Sequence, residues 1–170
     1  STINEGAAGD WGGILARDTY HAAPFLATLP YICFNFAMVV GRFSGDRLAT
    51  KFGALKILFN AGLMAGIGLA VGLIIGNIYG QIFGWLAIGA GMSVVIPMVF
   101  SLAGEIARKR GDMATSQAVA VASGISYFGF MVGPPTMGFI SSLITLRWAM
   151  MIPAVLAIAL AFGSKRVKSN

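Results

Sequence analysis

Charge is what this sequence has least of. Only 11% of its 170 residues are Asp, Glu, Lys or Arg, against roughly 25% in an ordinary globular domain. That shortage excludes a soluble domain. Cysteine is nearly absent too, and Cys33 stands alone inside an apolar run. No intrachain disulfide or thiolate metal site can form from it, and it reads as a small buried packing residue. The one histidine, His21, falls in a short external turn over 19–23 and reads as solvated rather than as a ligand or proton relay. With no Ser/His pair, no metal cluster and no catalytic dyad at membrane depth, an intramembrane enzyme is a weak reading. No metal and no cofactor are expected.

What is there is apolar. Hydrophobic residues make up 57% of the chain, and the mean hydropathy is +0.81. Runs of nearly uncharged residues recur along it, and about 20 such residues cross a bilayer as a helix. The spacing predicts spans over 24–43, 56–75, 82–103, 118–140 and 148–162, with a partial span over 1–19. Repetition excludes a signal peptide, which is single and N-terminal. The expected class is an all-α, multi-pass membrane protein. The opening Ser1-Thr2-Ile3-Asn4 carries no initiator Met, as expected of a piece of something longer.

The net charge of +6 is decided by position. All the basic residues except Arg17 and Arg147 fall in three places: around 42–56, at 108–110 and in the tail at 165–168. These connections alternate to one side of the predicted spans, and basic residues gather on the cytoplasmic side. The C-terminus is thus expected in the cytoplasm. A nucleic-acid surface sets its bases and aromatics on one exposed face instead, so no nucleic-acid partner is expected.

The segment 41–53 reads as a charged turn between two apolar runs, and 105–112 as a second. Within the spans, polar residues are few enough to weigh singly. Glu5 lies 13 residues before Asp18, which is about 20 Å along a helix. If Asp18 marks the outer surface, Glu5 is near or past the midplane, where a carboxylate implies a cavity or a partner. An exposed, disordered segment over 1–19 is the competing reading. Tyr31 and Asn35 share a face, and either bond a solute or hold neighbouring helices together. Gly89, Gly91, Ser93 and Pro97 predict a bent helix beside a cavity, with close packing as the alternative. Ser123, Ser126 and Tyr127 share a face at mid-depth. Gly133-Pro134-Pro135 predicts a helix break with a flexible outer end. Gly62, Gly66, Gly68, Gly72 and Gly76 form series that let another helix approach closely. Arg147 and Trp148 mark the outer interface.

Asp46-Arg47 followed by Lys51 resembles the loop motif of the major facilitator superfamily, G-x-x-x-D-(R/K)-x-G-x-(R/K)-(R/K). Arg42 and Ala49 replace its two glycines, so the motif is degenerate. Glu5-Gly6-Ala7-Ala8-Gly9-Asp10-Trp11 is similar to the E-G-A-x-x-D-W stretch in helix seven of a bacterial permease group, some akin to sugar permeases. Gly133-Pro134-Pro135-x-x-Gly138 fits helix eleven of that group. The resemblance covers essentially the whole chain and implies a C-terminal six-helix half whose first helix is truncated. It further implies an inner-membrane secondary transporter of a small solute, working by alternating access with a missing N-terminal half. Helices seven, eight, ten and eleven would line the cavity, with nine and twelve supporting them. The solute and proton pathway would comprise Glu5, Asp10, Trp11, Tyr31, Asn35, Ser93, Ser123, Ser126 and Tyr127. Asp10 and Trp11 would sit nearer the outer mouth, while Asp46, Arg47 and Lys51 would lock the cytoplasmic ends. Proton coupling rests on Glu5 alone. The rival is a non-transporting membrane scaffold or assembly partner, driven by the glycine series at 62–76.

Overall fold

A computed structural model describes the backbone of residues 2–111 and 114–166; the side chains of Thr2, Asp46 and Arg110 fall outside the described residues. The role expected for Asp46, the end of the second basic turn and Lys168 therefore lie outside what is described. Among the described residues the chain is helical with no strand. The first helical stretch is unusual. A short α1 (Thr2–Gly6) passes through a π turn (Ala7–Trp11) into α2 (Gly12–Ile14), and a second π turn (Leu15–Thr19) closes it. Residues 2–19 thus form a packed helical rod, with Ala7, Ala8, Leu15 and Ala16 buried, rather than an exposed disordered tail.

The remaining elements are α3 (Pro24–Phe52), α4 (Ala54–Ile75), α5 (Ile78–Met92), α6 (Val95–Arg110), α7 (Thr115–Leu143), α8 (Leu146–Ala149) and α9 (Met151–Arg166). Counting α5 with α6 and α8 with α9 as single spans, five helices among the described residues are long and apolar enough to cross a membrane. Together with the sequence, they describe a multi-pass membrane protein.

Two expectations are corrected here. The charged segment 41–53 is no open turn, because α3 stays helical through Phe52 and the chain reverses at Gly53, whose φ is +84°. Twenty-nine residues make a rod about 44 Å long, well beyond a hydrocarbon core of about 30 Å. Its charged end therefore protrudes into water and needs no loop to escape lipid. Helix α6 behaves alike: it runs to Arg110 before Gly111 (φ +70°) ends it. The break expected at Gly133-Pro134-Pro135 is likewise absent, since α7 is continuous from Thr115 to Leu143. Each proline removes one N–H donor, but the flanking turns keep the helix running.

Helix α5 does stop where Pro97 predicts a bend. Pro97 has no N–H for the Ser93 carbonyl four residues back, and the helix resumes at Val95. The bond from Ser93 N–H to the Gly89 carbonyl (3.1 Å) closes one side of the gap. That from Met98 N–H to the Val94 carbonyl (3.2 Å) opens the other.

Helix α4 is the hub. A Cβ at Gly62 would lie 2.8 Å from the Ala157 carbonyl, and one at Gly66 would lie 2.6 Å from that of Ala154, so this pair seats α9. A Cβ at Gly72 would meet the Gly84 Cα at 2.9 Å, so the other series seats α5. The buried core around these contacts holds Leu58, Leu69, Leu73, Trp85, Ile88, Met92 and Met150. By contrast α3 and α7 are poorly covered: only 6% of the α7 span is buried, against 50% of α4.

Candidate functional site

The stretches 5–11 and 133–138, which carried two of the permease-like motifs, pack on each other. A Cβ at Gly133 would lie 3.4 Å from Ile3, one at Gly6 would lie 3.4 Å from the Pro134 ring, and one at Gly138 would lie 3.2 Å from the Trp11 indole. Small residues and a proline ring on α7 thus form a shallow seat for the rod of residues 2–19. That seat fixes where Glu5 sits.

Beside it is a cavity of about 330 Å³, lined by Glu5 from α1, Ile96 and Phe100 from α6, and Ser123, Ser126, Tyr127 and Phe130 from α7. Four residues singled out in the sequence are therefore brought together, across 118 residues of chain. One oxygen of Glu5, Oε1, is buried and has no hydrogen-bond partner. Burying a carboxylate oxygen without a donor is costly. Ser123 Oγ donates to the Val119 carbonyl and Ser126 Oγ to that of Ala122, each at 2.9 Å. Tyr127 is the most open member, 76% exposed.

Other expected members are placed elsewhere. Tyr31 reaches toward the rod, with its ring 3.7 Å from a Cβ built at Gly9, one turn beyond Glu5. Asn35 Nδ2 donates to the Tyr31 carbonyl at 2.9 Å, and neither residue lines the Glu5 cavity. Asp10 is exposed on the rod. Trp11 packs against α7 with its indole N–H buried and unpartnered. Ser93 lies at a helix interface, away from the Glu5 cavity: it is 1% exposed, and its Oγ donates to the Ala90 carbonyl at 2.6 Å. A Cβ at Gly41 would lie 2.8 Å from the Ser93 Cβ, so there is room for only a hydrogen there. Ser93 borders a separate cavity of about 210 Å³ with Arg42 and Pro97. Arg47 and Lys51 are exposed at the protruding end of α3, with Lys51 Nζ 5.3 Å from the Phe52 ring centre. Among the described residues, no three His, Cys, Asp or Glu side chains gather as metal ligands.

Two residues that hold the rod in place, Gln81 and Trp85, were not picked out from the sequence. Gln81 is fully buried, and its Nε2 donates to the Gly12 carbonyl at 2.7 Å. Trp85, one turn on, lies with its indole 3.5 Å from a Cβ built at Gly12, so α5 grips the rod between its two π turns. The signal was an amide and an indole four residues apart at the mouth of an apolar run. Arg147 was read as an interface marker, yet its Nε donates to the Leu73 carbonyl at 2.7 Å and its Nη2 to the Ile74 carbonyl at 2.9 Å. Just past the C-terminal end of the rod, burial raises the Tyr20 phenol. The hydrogen bond from Arg17 lowers the Asp18 carboxyl.

Comparison with known proteins agrees with this architecture. The model of the Major Facilitator Superfamily matches residues 11–166. An uncharacterized MFS-type transporter of Yersinia pestis is 31% identical over 165 residues, covering 97% of this chain and 42% of the relative. Membrane protein MosC of Rhizobium meliloti is 25% identical over 95% of this chain and 39% of its own length. An uncharacterized transporter of Sinorhizobium fredii is 28% identical over 95% of this chain and 42% of its own. The chain thus spans about two fifths of the length of the curated relatives it matches.

Proposed function

Since the chain belongs to the Major Facilitator Superfamily, we propose that it acts as the C-terminal half of a secondary transporter that moves a small solute by alternating access, with Glu5 carrying the coupling proton. The observation behind this reading is the cavity in which Glu5, Ser123, Ser126 and Tyr127 meet. A carboxylate with an unpartnered buried oxygen is held at low cost only when neutral or paired. Gaining and losing a proton there as the cavity opens to either side would tie solute movement to a proton gradient.

The thinly covered faces of α3 and α7 suit a partner bundle, which in this reading is an N-terminal six-helix half. Transporter halves of this kind are related by an internal repeat and rock against each other around a midplane site. Arg47 and Lys51, with Asp46 beside them in sequence, would hold the bundle ends together on the cytoplasmic side of an inner membrane. The basic ends of α3 and α6 and the basic tail fit that side. The scaffold alternative draws on the close α4–α9 packing, but leaves the Glu5 cavity without a purpose.

The test uses the full-length protein in liposomes. A solute found by a binding screen is loaded on one side, and its flux is followed with and without an imposed pH gradient. The reading expects flux to follow the gradient and Glu5→Gln to uncouple it. Flux that ignores the gradient, and is unchanged in Glu5→Gln, refutes the coupling.

A further inference from the structure

The cavity wall is one-sided in its hydrogen bonding. In its ionised form the Glu5 carboxylate accepts only. Ser123 and Ser126 back-bond the Val119 and Ala122 carbonyls, and in that arrangement their oxygens offer lone pairs toward the cavity. Among the described lining residues only Tyr127 keeps a hydroxyl proton free to give, and no Lys, Arg or His borders the space. The remaining wall carries the rings of Phe100 and Phe130, whose faces attract cations.

From this inventory we infer that the solute recognised at Glu5 is a small organic cation, a protonated amine that carries further N–H or O–H donors. The inference rests on the reading of this cavity as the solute site. A cationic guest supplies what the wall lacks: positive charge for the carboxylate, donors for the serine oxygens, and a partner for the aromatic faces. Among the described lining residues an anion meets a carboxylate and no base, in a medium of lower dielectric than water, where like charges repel strongly. A neutral apolar guest leaves every acceptor unpaired. The volume of about 330 Å³ sits at the small end of ligand pockets, which run about 300–1,000 Å³. It suits a molecule of about one ring.

The test is charge selectivity at constant size. Full-length protein in detergent is titrated with two matched trios, namely cyclohexylamine, cyclohexanol and cyclohexanecarboxylate, then glucosamine, glucose and glucuronate. Binding is read from the thermal midpoint, up to about 10 mM, above the usual range of solute affinities for such sites. The expected result is that an amine binds at least tenfold tighter than its neutral and anionic matches. Glu5→Gln should remove that preference, and Glu5→Asp should restore part of it. Phe130→Leu, which leaves the carboxylate alone, should weaken the amine severalfold, and it serves if Glu5→Gln fails to fold. Equal or better binding of a carboxylate or neutral member overturns the inference, as does an amine preference untouched by Glu5→Gln. No amine binding at all overturns it too. A neutral solute whose flux still follows the pH gradient through Glu5 sinks the cation inference while leaving the transporter reading standing. Flux indifferent to Glu5 sinks both.

Discussion

Arg147 closes the C-terminal end of α4: its guanidinium donates to the carbonyls of Leu73 and Ile74, at 2.7 and 2.9 Å, across more than 70 residues of chain. The last carbonyls of a helix have no partner within it, and the helix dipole makes that end negative. A cation with a planar fork answers both needs, and joins α8 to α4 where the chain turns back. Arg147→Ala should lower stability by about 2–3 kcal/mol, the worth of hydrogen bonds to a charged group in part-buried surroundings. Arg147→Lys should recover less than half, because an ammonium cannot fork. Thermal unfolding in detergent reads both; an unchanged midpoint for Arg147→Ala contradicts the capping role.

Gly76 is constrained twice at the same place. Its φ of +71° is left-handed, and a Cβ there would lie 2.7 Å from the Arg147 Cζ. Gly76→Ala should therefore destabilise by more than the roughly 1–2 kcal/mol of a left-handed residue alone. In an Arg147→Ala background the excess should vanish. A double-mutant cycle measures that coupling, and strict additivity would refute it.

Glycines elsewhere should divide by what surrounds them. Gly66→Leu drives a side chain into the Ala154 carbonyl and Ile158, and should separate α9 from α4 with loss of folded protein on gel filtration. At Gly163, inside α9, a Cβ would meet nothing within 4 Å. Gly163→Ala should be neutral or stabilising by up to about 1 kcal/mol. If the two behave alike, the close approach of α9 to α4 is misdescribed.

The Arg17–Asp18 pair is the contrasting case. Its contact is short, Nε to Oδ1 at 2.6 Å, but both side chains are more than half exposed. The Asp18 carboxyl is held below its usual value by the hydrogen bond from Arg17. Any stability it adds is therefore present above the unfolded carboxyl range and lost as pH falls through the lowered value. Solvent screening leaves little to lose. Asp18→Asn should leave both the midpoint and its acid dependence unchanged within error, in plain contrast to Arg147→Ala.

The all-α membrane class was legible because charge scarcity and apolar run length are properties of neighbours in sequence. The cavity was half legible. Ser123, Ser126 and Tyr127 share a helix face by spacing alone, and Glu5 stood out as a carboxylate amid apolar residues. That Tyr31, Asn35 and Ser93 lie outside it depends on how far α3 and α5 are rotated, which spacing within one helix does not determine. The helical course of 41–52 was misread because charge suggests a loop, whereas a long helix can carry charge past the lipid. Continuity through Pro134-Pro135 was misread for a related reason: proline weakens a helix, but the turns on either side decide whether it ends. The bonds of Gln81 to Gly12 and of Arg147 to α4 span some 70 residues, and no local pattern announces such partners.

The reading of the Glu5 cavity as a water-accessible solute path has one immediate check. Ser126→Cys and Val155→Cys are made separately in full-length protein carrying Cys33→Ser. Ser126 borders the cavity, and Val155 is exposed on α9, on the face expected against lipid. Intact membranes are treated with a charged maleimide, which reacts only with thiols in contact with water. Labelling of Ser126→Cys with Val155→Cys left unlabelled is the expected result. Equal protection of the two thiols would mean that the Glu5 cavity is dry, and that solute does not pass through it.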